Sequence, residues 1–340
     1  MTTYNIALNF EDGVTRVITC DDDEKVTEAA FRQKINIPMD CRDGVCGTCK
    51  CFAEKGEYDL EFYMDEAMTE EEAEQGYVLT CQMTPESDCV IRIPASSAAC
   101  KTAPESVGAT VAGVKRLSET SFGLTVAMDK AISFLPGQYV NITVPGTDAH
   151  RSYSFSSLPG ADTGTFLIRN LPGGVMSSYL ADRAKAGDAL TLTGPMGAFY
   201  LRPITRTQVW LAGGTGLAPF LSMLEQVAVQ GSDHPITLYY AVTRAADLVE
   251  LDRVIELAAK IGNVNVITIL AAADEDHDRK GFVTDHLTAG DLVEGDCDVY
   301  LCGPPPMVDA VRAHFDSLGV APQNFYFEKF NPTETEAAAA

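Results

Sequence analysis

Apolar and polar residues alternate at strand period through Tyr4 to Phe10 and again through Thr15 to Cys20, and the period then lengthens to that of a helix from Val26 to Ile35. A cysteine-rich loop follows. Thr69 and Glu72 have the spacing of a capping box and predict the start of a short acidic helix; Cys89 to Ile93 reads as a strand. Together these predict an α+β, β-grasp-like unit over residues 1–97. The small residues and proline of 98–106 predict a linker.

Between about Gly108 and Pro203 the chain becomes a series of short strands: ATVAGVKRL, FGLTVAMD, QYVNITVP, RSYSFSS, TFLIRNL and ALTLTGP. Such spacing predicts an antiparallel β-barrel over 107–203, interrupted by one helix, SSYLADRA. From Thr207 strands and helices take turns: QVWLAG with PFLSMLEQVAVQ, ITLYYAV with ADLVELDRVIELAAK, NVNVITIL, DVYLC with MVDAVRAHF, and NFYFEKF. That order predicts an α/β domain with a doubly wound parallel sheet over 207–330. Residues 331–340 offer nothing to pack and are expected to be disordered. The whole is a multi-domain chain, each part large enough to bury a core.

Composition adds little to that picture, since 46% hydrophobic and 21% charged residues among 340 is ordinary for a globular protein. No run of 18 apolar residues is present, and the opening MTTYNIALNFEDG lacks a basic region and an apolar core, so a cytoplasmic location with no membrane contact is expected. A net charge of −23 disfavours nucleic acid and anionic lipid as partners. Residues 1–100 carry 21 Asp and Glu against 8 Lys and Arg. That excess either serves solubility or forms an acidic face for a basic patch on a partner protein. Ten cysteines in a reducing compartment point to metal or redox chemistry rather than disulfides.

Four of them have a recognisable spacing. Cys41-x4-Cys46-x2-Cys49, completed by Cys81, is the plant-type [2Fe-2S] pattern. Four thiolates must converge on two irons, and Gly44 and Gly47 let the loop wrap closely and aim N–H groups at the sulfurs. A structural zinc site would show two paired CxxC knuckles, and only Cys46 and Cys49 have that spacing. Cys51, Cys20, Cys89 and Cys100 are expected as packed thiols.

In the barrel, Arg151 can clamp a phosphate, Tyr153 can stack on a flavin ring and Ser154 can reach its N5. Gly174-Val175-Met176-Ser177 then opens a helix whose free N–H groups suit a pyrophosphate, which points to FAD rather than FMN. In the sheet, Gly213, Gly214, Thr215 and Gly216 lie between strand and helix, where a dinucleotide pyrophosphate binds, with Pro219 at the third glycine position of the usual fingerprint. A second turn, Cys302-Gly303-Pro304, also follows a strand, and Cys302 can lie against a nicotinamide. After ITLYYAV, Arg244 would attract a ribose 2′-phosphate and Asp247 would accept from a 2′-hydroxyl. With three acids and no base from Ala245 to Asp252, NADH is expected over NADPH.

RSYS, GVMS, GGTGLAP and CGPPPM in that order resemble the ferredoxin-NADP reductase superfamily. With a plant-type ferredoxin domain in front, residues 1–330 resemble the reductases of bacterial aromatic-ring oxygenases, most of all the benzoate and toluate dioxygenase reductases. The resemblance implies Arg151 on the flavin phosphates, Tyr153 on the ring, Ser154 at N5, Gly174 and Ser177 on the pyrophosphate, and Glu328 and Phe330 beside the hydride-transfer position. It implies electron flow from NADH through FAD and the cluster to a terminal oxygenase docking transiently at the ferredoxin domain. The reductase of a di-iron or other multicomponent monooxygenase is built from the same modules and is the alternative.

Overall fold

The computed structural model describes residues 2–39, 41–65, 67–101 and 104–330; the tail expected to be disordered lies outside them. The chain forms two compact units, Met1–Glu105 with Gly194–Ala198, and Ser106–Thr193 with Phe199–Ala340.

In the first unit the two alternating segments fold as an antiparallel hairpin, β1 (Thr3–Phe10) and β2 (Thr15–Asp21), with Ile6 opposite Ile18. After helix α1 (Val26–Arg32) come β3 (Lys50–Lys55), β4 (Tyr58–Leu60), helix α2 (Glu70–Glu74), β5 (Tyr77–Leu79), β6 (Met83–Pro85) and β7 (Cys89–Ile93). The main sheet runs β2-β1-β7-β3-β5, with β7 parallel to β1, and β4 pairs with β6 apart from it. Alternation turns Ile6, Leu8, Ile18 and Ile91 inward onto Val26, Ala29 and Ala30 of α1. The capping box forms: the Thr69 hydroxyl accepts from the Glu72 N–H, and the Glu72 carboxylate accepts from the Thr69 N–H.

Two boundaries differ from expectation. Helix α1 ends at Arg32 rather than Ile35, because Lys34 turns left-handed (φ 62°) and the Ile35 N–H reaches back to the Ala30 carbonyl, which drops Ile35 into the core. The stretch expected as linker 98–106 is packed at its start: Cys100 is buried in this core and its carbonyl accepts from Asn36 at 2.7 Å.

The second unit opens with β8 (Glu105–Arg116), β9 (Ser121–Met128), β10 (Tyr139–Thr143), β11 (His150–Ser154), β12 (Thr163–Arg169), helix α3 (Val175–Asp182) and β13 (Ala189–Met196). Their order, β11-β10-β13-β8-β9-β12, is closed by a bridge between Phe155 and Phe166, giving a six-stranded barrel filled by Leu124, Val126, Val140, Ile142 and those two rings. Closure leaves no open edge.

The remainder holds β14 (Thr207–Gly213), α4 (Leu217–Gln230), β15 (Ile236–Val242), α5 (Leu251–Ile261), β16 (Val264–Leu270), β17 (Cys297–Gly303), α6 (Pro305–Leu318) and β18 (Asn324–Lys329). The sheet is parallel in the order β16-β15-β14-β17-β18. Strand order reverses between β14 and β17, so the crevice outside their carboxyl ends is where such sheets take ligands. Helix α5 begins later than expected. Ala245–Asp247 form a 3-10 turn and Glu250 is left-handed (φ 58°), so the helix cannot start before Leu251. Among the described residues no helix is long and apolar enough to cross a membrane.

Candidate functional site

The cysteine loop depends on two left-handed glycines, Gly44 (φ 75°) and Gly47 (φ 74°). A Cβ on Gly44 would lie 2.3 Å from the Phe62 carbonyl oxygen, so a side chain there would lift the loop off its support. Folded this way, the loop brings the Cys41 and Cys46 thiols into hydrogen-bond contact, and Cys49 into contact with Cys81. Donation from the Cys49 thiol, helped by Gln82 and the Gly44 N–H, brings Cys81 down to about 6, whereas burial pushes Cys46 up to about 11.

Two pairs are what two irons require, each taking two protein thiolates; a single zinc ion would need the four at one point. The two thiol pairs, Cys41 with Cys46 and Cys49 with Cys81, fit a [2Fe-2S] cluster. Cys51, one pleat repeat beyond Cys49, lies in the α1 core with Ile6 and Ile91, where burial raises its thiol; Cys49 and Cys81 sit among Ala67, Met68 and Leu79. Val45, Phe62 and Met64 keep 39–57% of their surface exposed beside the loop, and the Met64 N–H bonds to the Gly44 carbonyl.

On β11, alternation separates Arg151 and Tyr153 from Ser152 and Ser154. Tyr153 packs partly against the barrel core, and burial raises its phenol. Ser154 is buried, and its hydroxyl donates to the Glu328 carboxylate at 3.1 Å, which joins the end of β11 to the last strand of the sheet. Gly174 caps α3 in extended conformation, leaving the N–H groups of Val175, Met176 and Ser177 unused by the helix. The Ser177 hydroxyl instead holds the turn in place, accepting from the Leu171 N–H and donating to the Arg169 carbonyl.

At the sheet crevice the two glycine turns touch. A Cβ on Gly216 would meet the Cys302 carbonyl at 2.2 Å, and one on Gly213 would meet the Met307 sulfur at 2.6 Å. The turns thus define a narrow floor on which Thr215, Gly303 and Pro304 also lie, with Pro219 buried in the first turn of α4. Cys302 pairs in register with Glu328 on β18, and burial with that neighbouring carboxylate holds its thiol well up and uncharged. Phe330 follows, its N–H on the Gly303 carbonyl. Arg202 lies 3.9 Å from the Tyr326 ring centroid and 4.2 Å from that of Tyr200, clamping barrel and sheet two residues before Glu328.

Asp247 is placed differently from expectation. One of its carboxylate oxygens accepts from Thr120 and Ser118 of the barrel. Glu250 faces Arg253, which also pairs with Glu225. Arg244 does stand at the end of β15, paired with Asp274 and Glu275 thirty residues further on. Nothing local to Arg244 in the sequence signals those two acids.

Three family models match in sequence order: a 2Fe-2S iron-sulfur cluster binding domain over residues 9–86, an oxidoreductase FAD-binding domain over 110–200 and an oxidoreductase NAD-binding domain over 210–313. The chain is 53% identical to the toluate 1,2-dioxygenase electron transfer component of Pseudomonas putida, covering 96% of this chain and 98% of that one. It is 47% identical to the 2-halobenzoate 1,2-dioxygenase electron transfer component of Burkholderia cepacia, over 97% and 98%. Among solved structures, a cytochrome P450 reductase from Amycolatopsis superposes with a TM-score of 0.72 at 30% identity, over 96% and 99% of the two chains.

Proposed function

Since the chain belongs to the family of electron transfer components of aromatic-ring dioxygenases, we propose that it serves an oxygenase whose substrate is an aromatic carboxylate of the benzoate type. The chain is an NADH-dependent oxidoreductase with FAD and a [2Fe-2S] cluster, and passes electrons from NADH through both to a terminal oxygenase. Flavin, when bound, takes a hydride from the nicotinamide and releases electrons singly. What this chain's own residues do follows from their positions.

The observation that carries the reading is the meeting of Ser154 with Glu328, because it sets the end of the flavin strand beside the crevice built by the two glycine turns. Arg151 and the first-turn N–H groups of α3 take the flavin phosphates, with Gly174 leaving room and Ser177 fixing the turn. Tyr153 would stack on the ring, and Ser154 would lie at its reactive edge with its hydroxyl proton on Glu328. Gly213, Gly214, Thr215 and Gly216 take the dinucleotide pyrophosphate, with Pro219 starting the helix behind them; Gly303 and Pro304 bound the nicotinamide. Glu328 orients Ser154, Phe330 covers the ring, and Cys302, uncharged, packs beneath. Cys41, Cys46, Cys49 and Cys81 hold the irons.

Val45, Phe62 and Met64, with the acids around them, form the docking face for the oxygenase, the apolar centre excluding water and the charge steering approach. A cytoplasmic location belongs to the same proposal. The proposed modules are 1–97, 107–203 and 207–330, the first continued by Cys100, which packs in its core. The reading is tested by combining the purified reductase with the oxygenase component of toluate 1,2-dioxygenase. Toluate-dependent NADH oxidation is expected. Full NADH–ferricyanide activity without any transfer to that oxygenase would refute the substrate class.

A further inference from the structure

Choice between NADH and NADPH is decided where the adenine ribose lies, beyond the carboxyl end of the second strand of a dinucleotide-binding sheet. Here that strand is β15, and the residues following it are Thr243 and Arg244. An arginine at this place favours NADPH, since a 2′-phosphate accepts a bidentate, charge-assisted pair. Of the acids adjacent in sequence, Asp247 accepts from Thr120 and Ser118, and Glu250 faces Arg253, so neither of the two is the recorded partner of Arg244.

Opposition comes from a different loop. Beyond β16 the pairing with β15 continues: the Ala271 N–H bonds to the Val242 carbonyl and the Ala272 N–H to the Thr243 carbonyl, each at 2.9 Å. The loop then folds back and is closed by the Leu270–Lys280 bridge and by the Lys280 ammonium on the Ala273 carbonyl. Held at both ends, it presents Asp274 and Glu275 to Arg244 at 3.2 and 3.3 Å, on one guanidinium nitrogen.

We propose that Asp274 and Glu275 are the residues that set specificity for NADH, by occupying Arg244 and so withholding its guanidinium from a 2′-phosphate. Both carboxylates accept from one guanidinium nitrogen, so Arg244 is engaged by protein while the acids still offer acceptors to a 2′-hydroxyl. Each carboxyl-to-guanidinium bond is exposed and contributes little to stability. Its consequence is for recognition. This inference rests on the crevice being the nicotinamide site.

The test is kcat/KM for NADH and for NADPH, measured with ferricyanide so that cluster and oxygenase are bypassed. In Asp274→Ala/Glu275→Ala, NADPH use should rise by about tenfold or more, the scale of one charge-assisted contact. Adding Arg244→Ala to that variant should abolish the gain, whereas Arg244→Ala alone should leave NADPH a poor substrate. Unchanged NADPH use in the double variant, with NADH oxidation retained, would overturn the proposal. A gain that survives removal of Arg244 would also overturn it, reducing the acids to simple repulsion. Failure of the unsubstituted holoprotein to oxidise NADH would instead overturn the underlying site assignment.

Discussion

Replacing Gly216 by alanine isolates the contact on which the nicotinamide crevice is built. Gly216 has φ −60°, an ordinary value, so alanine meets no backbone strain there. Its Cβ would nevertheless lie 2.2 Å from the Cys302 oxygen and 2.7 Å from the Cys302 carbon. Both are backbone atoms of a buried strand, and no side chain can swing aside. Against an ordinary non-bonded contact of about 3.5 Å, the turn must retreat from β17 by roughly 1 Å. Overpacking of this kind costs about 1–3 kcal/mol. A 1 Å misplacement of a positioning element can lower turnover on the order of 100-fold. The assay is NADH–ferricyanide kcat/KM beside flavin content and thermal midpoint. Expected for Gly216→Ala is a loss on the order of 100-fold with flavin retained, since the turn lies in the sheet and not the barrel. Gly231→Ala is the control. Gly231, at the far end of α4, has φ 79° with nothing within 4 Å of its Cβ position, so the substitution costs about 1–2 kcal/mol of conformation without touching the crevice. Near-normal kinetics in Gly216→Ala, or an equal loss in Gly231→Ala, would refute the steric reasoning.

Three further outcomes follow. Cys81→Ser should eliminate the reducible iron signal while leaving flavin reduction by NADH intact, and Cys51→Ser should spare the cluster, both read by iron content and low-temperature paramagnetic resonance; the reverse pattern would reassign the ligands. Glu328→Gln keeps the size of the Ser154 partner but removes its charge, and should slow flavin reduction in single turnover at least tenfold without loss of flavin. An unchanged rate would remove Glu328 from the site. Asp188 accepts from the Tyr179 hydroxyl and the Lys185 N–H, and the tyrosine's donation above all holds its carboxyl below the usual range. Its contribution to stability is therefore complete above the unfolded pKa of about 3.9 and is lost as pH falls through the lower folded value. In urea, the stability gap between the parent and Asp188→Asn should be present at neutral pH and close in that acid range; a gap that stayed constant would contradict the assignment.

Much of this was legible in the sequence because it rests on local constraints. The Cys41 to Cys81 spacing, the Thr69 capping box and the period-2 strands each follow from chain geometry within a few residues. Cys51 stands only two residues beyond Cys49, a spacing that puts no face of the pleat between them, so only the structure separates their surroundings. What could not be read is set by distant contacts. Helix α5 starts late because Glu250 turns left-handed just before it, and α1 stops early because Ile35 finds a better place in the core. The same holds at the specificity site. Asp247 was drawn away by Thr120 and Ser118, over 120 residues earlier, and Arg244 was met by Asp274 and Glu275 from the loop after β16. Sequence proximity pointed to Asp247, whereas Arg244 itself is paired with Asp274 and Glu275.

The central claim is that one chain moves electrons from NADH to flavin and then to its own cluster. Anaerobic stopped-flow mixing of the holoprotein with NADH, following flavin and iron-sulfur absorbance together, tests it most directly. Flavin bleaching should come first and cluster reduction second, and in Cys81→Ser the first phase should persist at its normal rate while the second disappears. Cluster reduction that proceeds at the same rate in protein stripped of flavin would contradict the account.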